Sequence, residues 1–262
     1  MTRILVCSDI HANFSALEAV LNDAGKVDSV WCLGDVVGYG PDPNECIHRL
    51  QTLPNLVCLI GNHDAAALGQ LDIKSFNLEA RQSIRWLTST LTSASREFLG
   101  ALPDTYIDGD MTLAHGSPRV PIWEYLLDVF SAANAFEYFM TDYCLVGHTH
   151  VPTVFTFDQA TGGVQWRMPT GGERIMLEKR MILNPGSVGQ PRDHNPDASY
   201  AIYEPEFGQW NCAGWRMTSK ACSSAYSRLA CRNAMPSGWQ TAGRPLSGNH
   251  PCSGSVYGWR DA

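Results

Sequence analysis

Five short stretches carry the residue types that hold metal ions: Ser8-Asp9-Ile10-His11, Gly34-Asp35-Val36-Val37-Gly38, Gly61-Asn62-His63-Asp64, Ala114-His115-Gly116 and Gly147-His148-Thr149-His150. Carboxylate, amide oxygen and imidazole suit divalent first-row cations. A hydrolytic site with two ions about 3.5–4 Å apart needs a carboxylate shared between them, further oxygen and nitrogen ligands, and positions left open for water and substrate. Asp35 follows the apolar run Ser29-Val30-Trp31-Cys32-Leu33 and lies between two glycines, where a carboxylate can reach into a cleft with both oxygens free. It is the expected bridge, and hydrolysis of phosphate esters is the expected chemistry. Taken singly, each residue also has a plainer use: Asp35 as a turn or N-cap residue, His115 as a hydrogen-bonded structural histidine. The set and its order give the reading its weight.

These side chains need elements that bring them together. Strands are expected at residues 3–8, 29–33 and 55–60, separated by helices at 13–24 and 43–53, which is the alternation of a parallel α/β sheet. Asn13 stands where an N-cap belongs, Gly25 where a C-cap belongs, and Pro43 opens the second helix. Further helices are expected at 77–91, 93–102 and 131–140, and a hairpin turns at Asp108-Gly109-Asp110. Strands then follow at 143–146, 151–157, 164–168, 180–183 and 198–203. Every metal-type stretch comes just after an apolar run, so all are expected at the carboxyl ends of strands, where open α/β sheets bind their ligands. A βαβ half followed by a strand-rich half predicts two packed sheets with helices outside.

Composition narrows the function classes. The 262 residues are 44% hydrophobic and 17% charged, enough for one substantial core. A net charge of −7 offers no footprint for sequence-independent nucleic-acid binding. No run is long enough for a membrane span, and the apolar run behind Met1 is too short for a signal peptide. Nine cysteines without Cys-x-x-Cys spacing argue against a disulfide framework or zinc ribbon, so a cytoplasmic chain is expected. Cys7, Cys32, Cys58 and Cys144 read as small apolar core residues. Tyr39 and Arg119 are expected to line the pocket, and Trp123 and Tyr125 to pack. His48 and His194 have no motif around them.

In their order, Asp9-x-His11, Gly34-Asp35, Gly61-Asn62-His63-Asp64, the lone His115-Gly116 and Gly147-His148-x-His150 resemble the calcineurin-like metallophosphoesterase superfamily over about residues 1–207. Asn184-Pro185-Gly186-Ser187-Val188-Gly189 resembles a segment of its small bacterial and archaeal phosphodiesterase-like branch. The resemblance implies a four-layer α-β-β-α sandwich of two packed mixed sheets. It implies two divalent ions, Mn²⁺ foremost, with Fe, Co²⁺, Ni²⁺ and Zn²⁺ as further candidates. Asp9, His11, Asp35 and His150 would hold the first ion; Asp35, Asn62, His115 and His148 the second. A hydroxide between the ions would attack a small phosphorylated substrate, and His63, kept protonated by a carboxylate or carbonyl partner, would assist the leaving group. Protein phosphatases and diadenosine tetraphosphatases carry Asp-Arg-Gly where this chain has Gly38-Tyr39-Gly40, which favours small-molecule or nucleotide esters over those substrates. A non-catalytic binding scaffold of the same fold is the alternative from another class, and the complete residue set argues against it.

Residues 208–262 are expected to form an irregular tail, rich in Trp, Cys, Gly and Ser. Trp210-Asn211-Cys212 and residues 233–240 can be encoded so that the frame one base earlier spells a strand and an amphipathic helix. The tail then reads as an out-of-frame version of the family C-terminus, against a genuine Cys/Trp-rich extension. Codon usage across that part of the gene decides between them.

Overall fold

The computed structural model of the chain describes residues 1–215. Its strands are β1 (Ile4–Cys7), β2 (Ser29–Cys32), β3 (Leu56–Cys58), β4 (Thr105–Asp108), β5 (Met111–Ala114), β6 (Tyr143–Leu145), β7 (Thr153–Asp158), β8 (Gly163–Arg167), β9 (Arg174–Met176), β10 (Met181–Asn184), β11 (Ala198–Glu204) and β12 (Gln209–Trp215). The helices are α1 (Phe14–Ala24), α2 (Pro43–Gln51), α3 (Asn62–Ala67), α4 (Leu78–Thr90), α5 (Ser93–Gly100) and α6 (Val129–Ala135).

The strands form two mixed sheets of six, ordered β3-β2-β1-β11-β12-β9 and β4-β5-β6-β10-β7-β8. Within the first, β1, β2 and β3 run parallel; within the second, β5, β6 and β10 do. Side chains alternate across each strand, and the alternation sorts them into layers. Ile4 and Val6 of β1 enter the core between the sheets with Trp31, Leu113, Leu145 and Leu183. Leu5 and Cys7 face the other way and pack with Leu17 and Val20 of α1 and Ile47 and Leu50 of α2. On the far side, Cys144 and Ile182 pack under Ala132 and Ala135 of α6. This is the α-β-β-α sandwich, and strands buried on both faces explain the unbroken apolar runs. Cys7, Cys32, Cys58 and Cys144 are buried free thiols in these cores. No helix among the described residues is long and apolar enough to cross a membrane.

The expected helices at 13–24, 43–53, 77–91 and 93–102 are present within a few residues, with Asn13, Asn77 and Thr92 accepting N-cap hydrogen bonds. Asp128 caps α6 earlier than expected, and a 3₁₀ turn at Phe136–Tyr138 cuts the helix short. Neither α3 nor β9 was anticipated; both are short, six and three residues, and too brief for a period to show.

The expected irregular tail from residue 208 is corrected over its first part. Gln209–Trp215 is a strand, paired antiparallel with β11 on one side and β9 on the other. Trp210 is 1% exposed in the core between the sheets, with Cys212 beside it, while Ala213 packs toward the helices. The alternation was present in the sequence, but it is two repeats long. Residues 216–262 lie outside the described residues, and the reading-frame question for them lies there too. Trp210→Ala is expected to cost about 3–5 kcal/mol, seen as a lowered urea midpoint. An unchanged midpoint would exclude β12 from the cooperative core.

Candidate metal centre

All five metal-type stretches lie at the carboxyl ends of β1, β2, β3, β5 and β6, and parallel pairing puts those ends on one side. The backbone turns sharply there. Asp9, His11, Asp35, His148 and His150 all have positive φ, between 49° and 64°. That region is costly for residues with a Cβ, and such strain gathers at functional sites. It swings these side chains off the strand direction into a common space.

The backbone is braced to hold that shape. Asp9 N–H donates to Gly34 O and His11 N–H to Asp35 O, lashing the first loop to the second. Ser187 Oγ donates to Asp9 O at 2.9 Å, and Asn184 Nδ2 donates to Gly147 O at 2.7 Å. The Asn184–Gly189 segment thus ties the two sheets' loops together. Asp64, which the sequence left without a role, accepts from Val36 N, Val37 N and Gly61 N at 3.2, 2.9 and 2.9 Å. It pins the Asp35 loop to the start of α3. Burial and the nearby Asp35 push its pKa up to about 8 against the pull of those donors. Two glycines are fixed by space. A Cβ on Gly61 would lie 2.1 Å from Asp35 Oδ1, and one on Gly38 would lie 2.7 Å from His11 Nδ1 and 2.9 Å from His63 Nδ1.

Asp9, His11, Asp35, Asn62, His63, His115, His148 and His150 are each at most 5% exposed. Two groups form among them: Asp9, His11, Asp35 and His150, and Asp35, His115 and His148. Asp35 belongs to both. Its Oδ2 lies 3.6 Å from His11 Nε2 and 3.5 Å from His115 Nε2, while Oδ1 accepts from His63 N at 2.9 Å. Asp9 Oδ1 lies 3.3 Å from His150 Nε2 and has no hydrogen-bond partner among the described residues. Atoms bound to one ion at about 2.1 Å lie about 3.0–3.4 Å apart, close to these spacings.

The imidazoles give the sharper test. One nitrogen of each is directed at a backbone carbonyl: His11 Nδ1 at Val37 O, His115 Nδ1 at Leu33 O, His150 Nδ1 at Gln190 O and His148 Nε2 at Trp123 O. A carbonyl only accepts, so those nitrogens carry the protons and the others present lone pairs. The lone-pair nitrogens face one another, His11 Nε2 and His150 Nε2 at 3.0 Å, His115 Nε2 and His148 Nδ1 at 3.1 Å. Such contacts repel unless a cation or a proton lies between them. Asn62 sets its side-chain amide against the same atoms, 3.1 Å from Asp35 Oδ2, 3.2 Å from His115 Nε2 and 3.3 Å from His148 Nδ1. The residues fit divalent ions.

Charge follows the same logic. Burial favours neutral carboxyls, yet the facing imidazoles hold Asp9 and Asp35 below the usual carboxylate range. Burial lowers His11 and His148, keeping their lone pairs available. His115 rises to about 9 against burial because Asp35 lies beside it. A cation bound there replaces that proton.

His63 is beside the groups and in neither. Its ring contacts Tyr39 at 4.7 Å, His11 at 5.0 Å and Phe76 at 5.3 Å between centroids. The expected carboxylate or carbonyl partner is absent: Nδ1 has none among the described residues, and Asp64 points away to backbone amides. Burial lowers the His63 pKa to about 4, so the imidazole is neutral.

Tyr39 lines the centre as expected, edge-on to His11. Arg119 does not. It pairs with Glu124, which also accepts from Ser117 Oγ, and this clasp shapes the loop that carries Trp123 and Tyr125. Trp123 packs on Phe76, and Tyr125 stacks on His148 at 3.8 Å and 18°. Both pack, as expected, and they do so as a wall of the site. The tautomer-fixing carbonyls were beyond sequence reasoning, since every residue has one. The Asp64 brace had a signal in the Gly61-x-x-Asp64 spacing, in which a carboxylate at the third helical position accepts from the N-cap backbone N–H.

Fold and site together define an α/β-sandwich protein with a buried carboxylate–imidazole centre at its strand ends. The description of the calcineurin-like phosphoesterase superfamily domain matches residues 2–207, and the chain belongs to that family. Membership implies a phosphoester hydrolase. An uncharacterized protein of Methanocaldococcus jannaschii is 38% identical over 210 residues, covering 78% of this chain and 83% of the relative. The crystal structure of a metallophosphoesterase from Sphaerobacter thermophilus is 44% identical with a TM-score of 0.81, covering 92% of this chain and 97% of the other. A hypothetical protein from Pyrococcus horikoshii shares the fold at 19% identity, with a TM-score of 0.67 over 92% of this chain and 97% of the other.

Proposed function

We propose that the chain hydrolyses esters of small phosphorylated molecules or nucleotides with two divalent cations. Asp9, His11, Asp35 and His150 hold one; Asp35, Asn62, His115 and His148 hold the other. The observation that carries this is the facing of imidazole nitrogens at 3.0 and 3.1 Å on either side of Asp35, contacts that need a cation or a proton between them. With ions held there, a bound water would be nucleophilic near neutral pH and the charge growing on phosphoryl oxygens would be offset.

The chain's own groups prepare the site. Val37, Leu33, Trp123 and Gln190 carbonyls fix the imidazole tautomers, which sets ligand basicity and direction. Asp35 keeps Oδ1 on the His63 amide and turns Oδ2 toward both groups. His63, neutral and not tied to a carboxylate, offers an imidazole N–H to the leaving-group oxygen rather than acting as a standing cation. Tyr39, Phe76, Trp123 and Tyr125 wall the approach and exclude bulk water. Carboxylate and amide oxygens among the imidazoles favour Mn²⁺, with Fe²⁺, Co²⁺, Ni²⁺ and Zn²⁺ also accommodated.

The test is reconstitution. Protein stripped with a chelator is expected to bind two equivalents of Mn²⁺ and to regain hydrolysis of a phosphate monoester or diester by at least about 10³-fold. Binding of only trace metal, or equal rates before and after stripping, overturns the reading.

A further inference from the structure

The loop that follows β10 brings one cation to the mouth of the site. His150 Nδ1–H donates to Gln190 O at 2.6 Å, and Arg192 N–H donates back to His150 O at 3.2 Å. Arg192 is therefore anchored, through its backbone, to a residue of the first metal group. Its side chain is exposed, with Nη2–H donating to Gln190 Oε1 at 3.0 Å and the guanidinium reaching the Tyr125 hydroxyl. Arg3, Arg49, Arg119 and Arg167 each pair with a glutamate; Arg192 forms no salt bridge among the described residues.

The Tyr125 ring beside the guanidinium is itself stacked on His148 of the second metal group. One guanidinium without a salt bridge among the described residues is thus tied through its backbone to His150 of the first group and set beside the ring that covers His148 of the second. Across the cleft, residues 34–40 contain no Lys or Arg.

We propose that Arg192 receives the outward oxygens of the bound phosphoryl group, and that it makes the site prefer phosphate monoesters to diesters. This rests on the hydrolase reading above. A monoester near neutral pH carries about one further negative charge, on an oxygen that a diester has esterified. A guanidinium presents a planar fork of donors to such an oxygen pair. Gln190 Oε1 restrains the fork without neutralising it.

The experiment uses Mn²⁺-loaded full-length protein with p-nitrophenyl phosphate and bis-p-nitrophenyl phosphate, comparing wild type, Arg192→Ala and Arg192→Lys. Arg192→Ala is expected to lower the monoester-to-diester ratio of kcat/KM by about 10- to 100-fold, chiefly through the monoester KM. Arg192→Lys is expected to recover part of it. Inorganic phosphate, titrated calorimetrically as a ligand, is expected to bind Arg192→Ala about 10-fold more weakly. Metal content and melting temperature report that the variants are folded and loaded. A ratio within about 3-fold of wild type, with unchanged phosphate binding, overturns this inference alone. So does an equal fall on both esters. Wild type inactive on both overturns the hydrolase reading together with this one.

Discussion

Asp35→Asn is expected to abolish turnover, by at least about 10⁴-fold, while the chain stays folded. The substituted amide has nearly the same shape. Its oxygen can take the place of Asp35 Oδ1 and accept from His63 N, now at 2.9 Å. Its nitrogen then takes the place of Oδ2, 3.6 Å from His11 Nε2 and 3.5 Å from His115 Nε2, and offers hydrogens to their lone pairs. The substitution therefore satisfies the metal-free centre internally and removes the negative charge common to both groups. Metal analysis is expected to show less than one equivalent bound, with a melting temperature at or above that of the metal-free parent. Retention of two equivalents with normal turnover would show that Asp35 is not shared between ions.

His63→Ala separates chemistry from metal binding. His63 stands outside both groups, so metal content is expected to be unchanged. Turnover of esters with poor leaving groups is expected to fall by about 10²–10⁴-fold. With an activated aryl leaving group the loss is expected to be much smaller, because that oxygen needs little help to depart. The comparison matters because the imidazole fills space between Tyr39 and Phe76. A cavity alone would slow both ester types alike. Normal rates on poor leaving groups would remove His63 from the mechanism.

Much of this was legible in the sequence because the chemistry is local. Asp9 with His11, and His148 with His150, sit on single tight loops, and each loop is announced by the apolar strand before it. Order along the chain then becomes convergence in space, since parallel pairing of β1 with β2, β2 with β3 and β5 with β6 sends their ends the same way. What escaped depends on partners distant in the chain or on backbone atoms. Asp64 was left without a role, because its partners are backbone amides of Val36, Val37 and Gly61 that no residue type announces. Arg192 had no motif of its own; its place follows from a hydrogen bond to His150 made across 41 intervening positions. Gln209–Trp215 was hidden by a composition that looked irregular, although Trp210 and Cys212 already pointed one way and Ala213 the other.

The order β3-β2-β1-β11-β12-β9 also bears on how the chain is made. Strand β1 is synthesised well before β11, from which it obtains its second neighbour, and β9 before β12, its strand partner among the described residues. During synthesis the flank of β1 stays open until nearly the whole domain has been translated. A nascent chain in that state presents a free, apolar edge to other nascent chains, and closing it is the step that completes the first sheet.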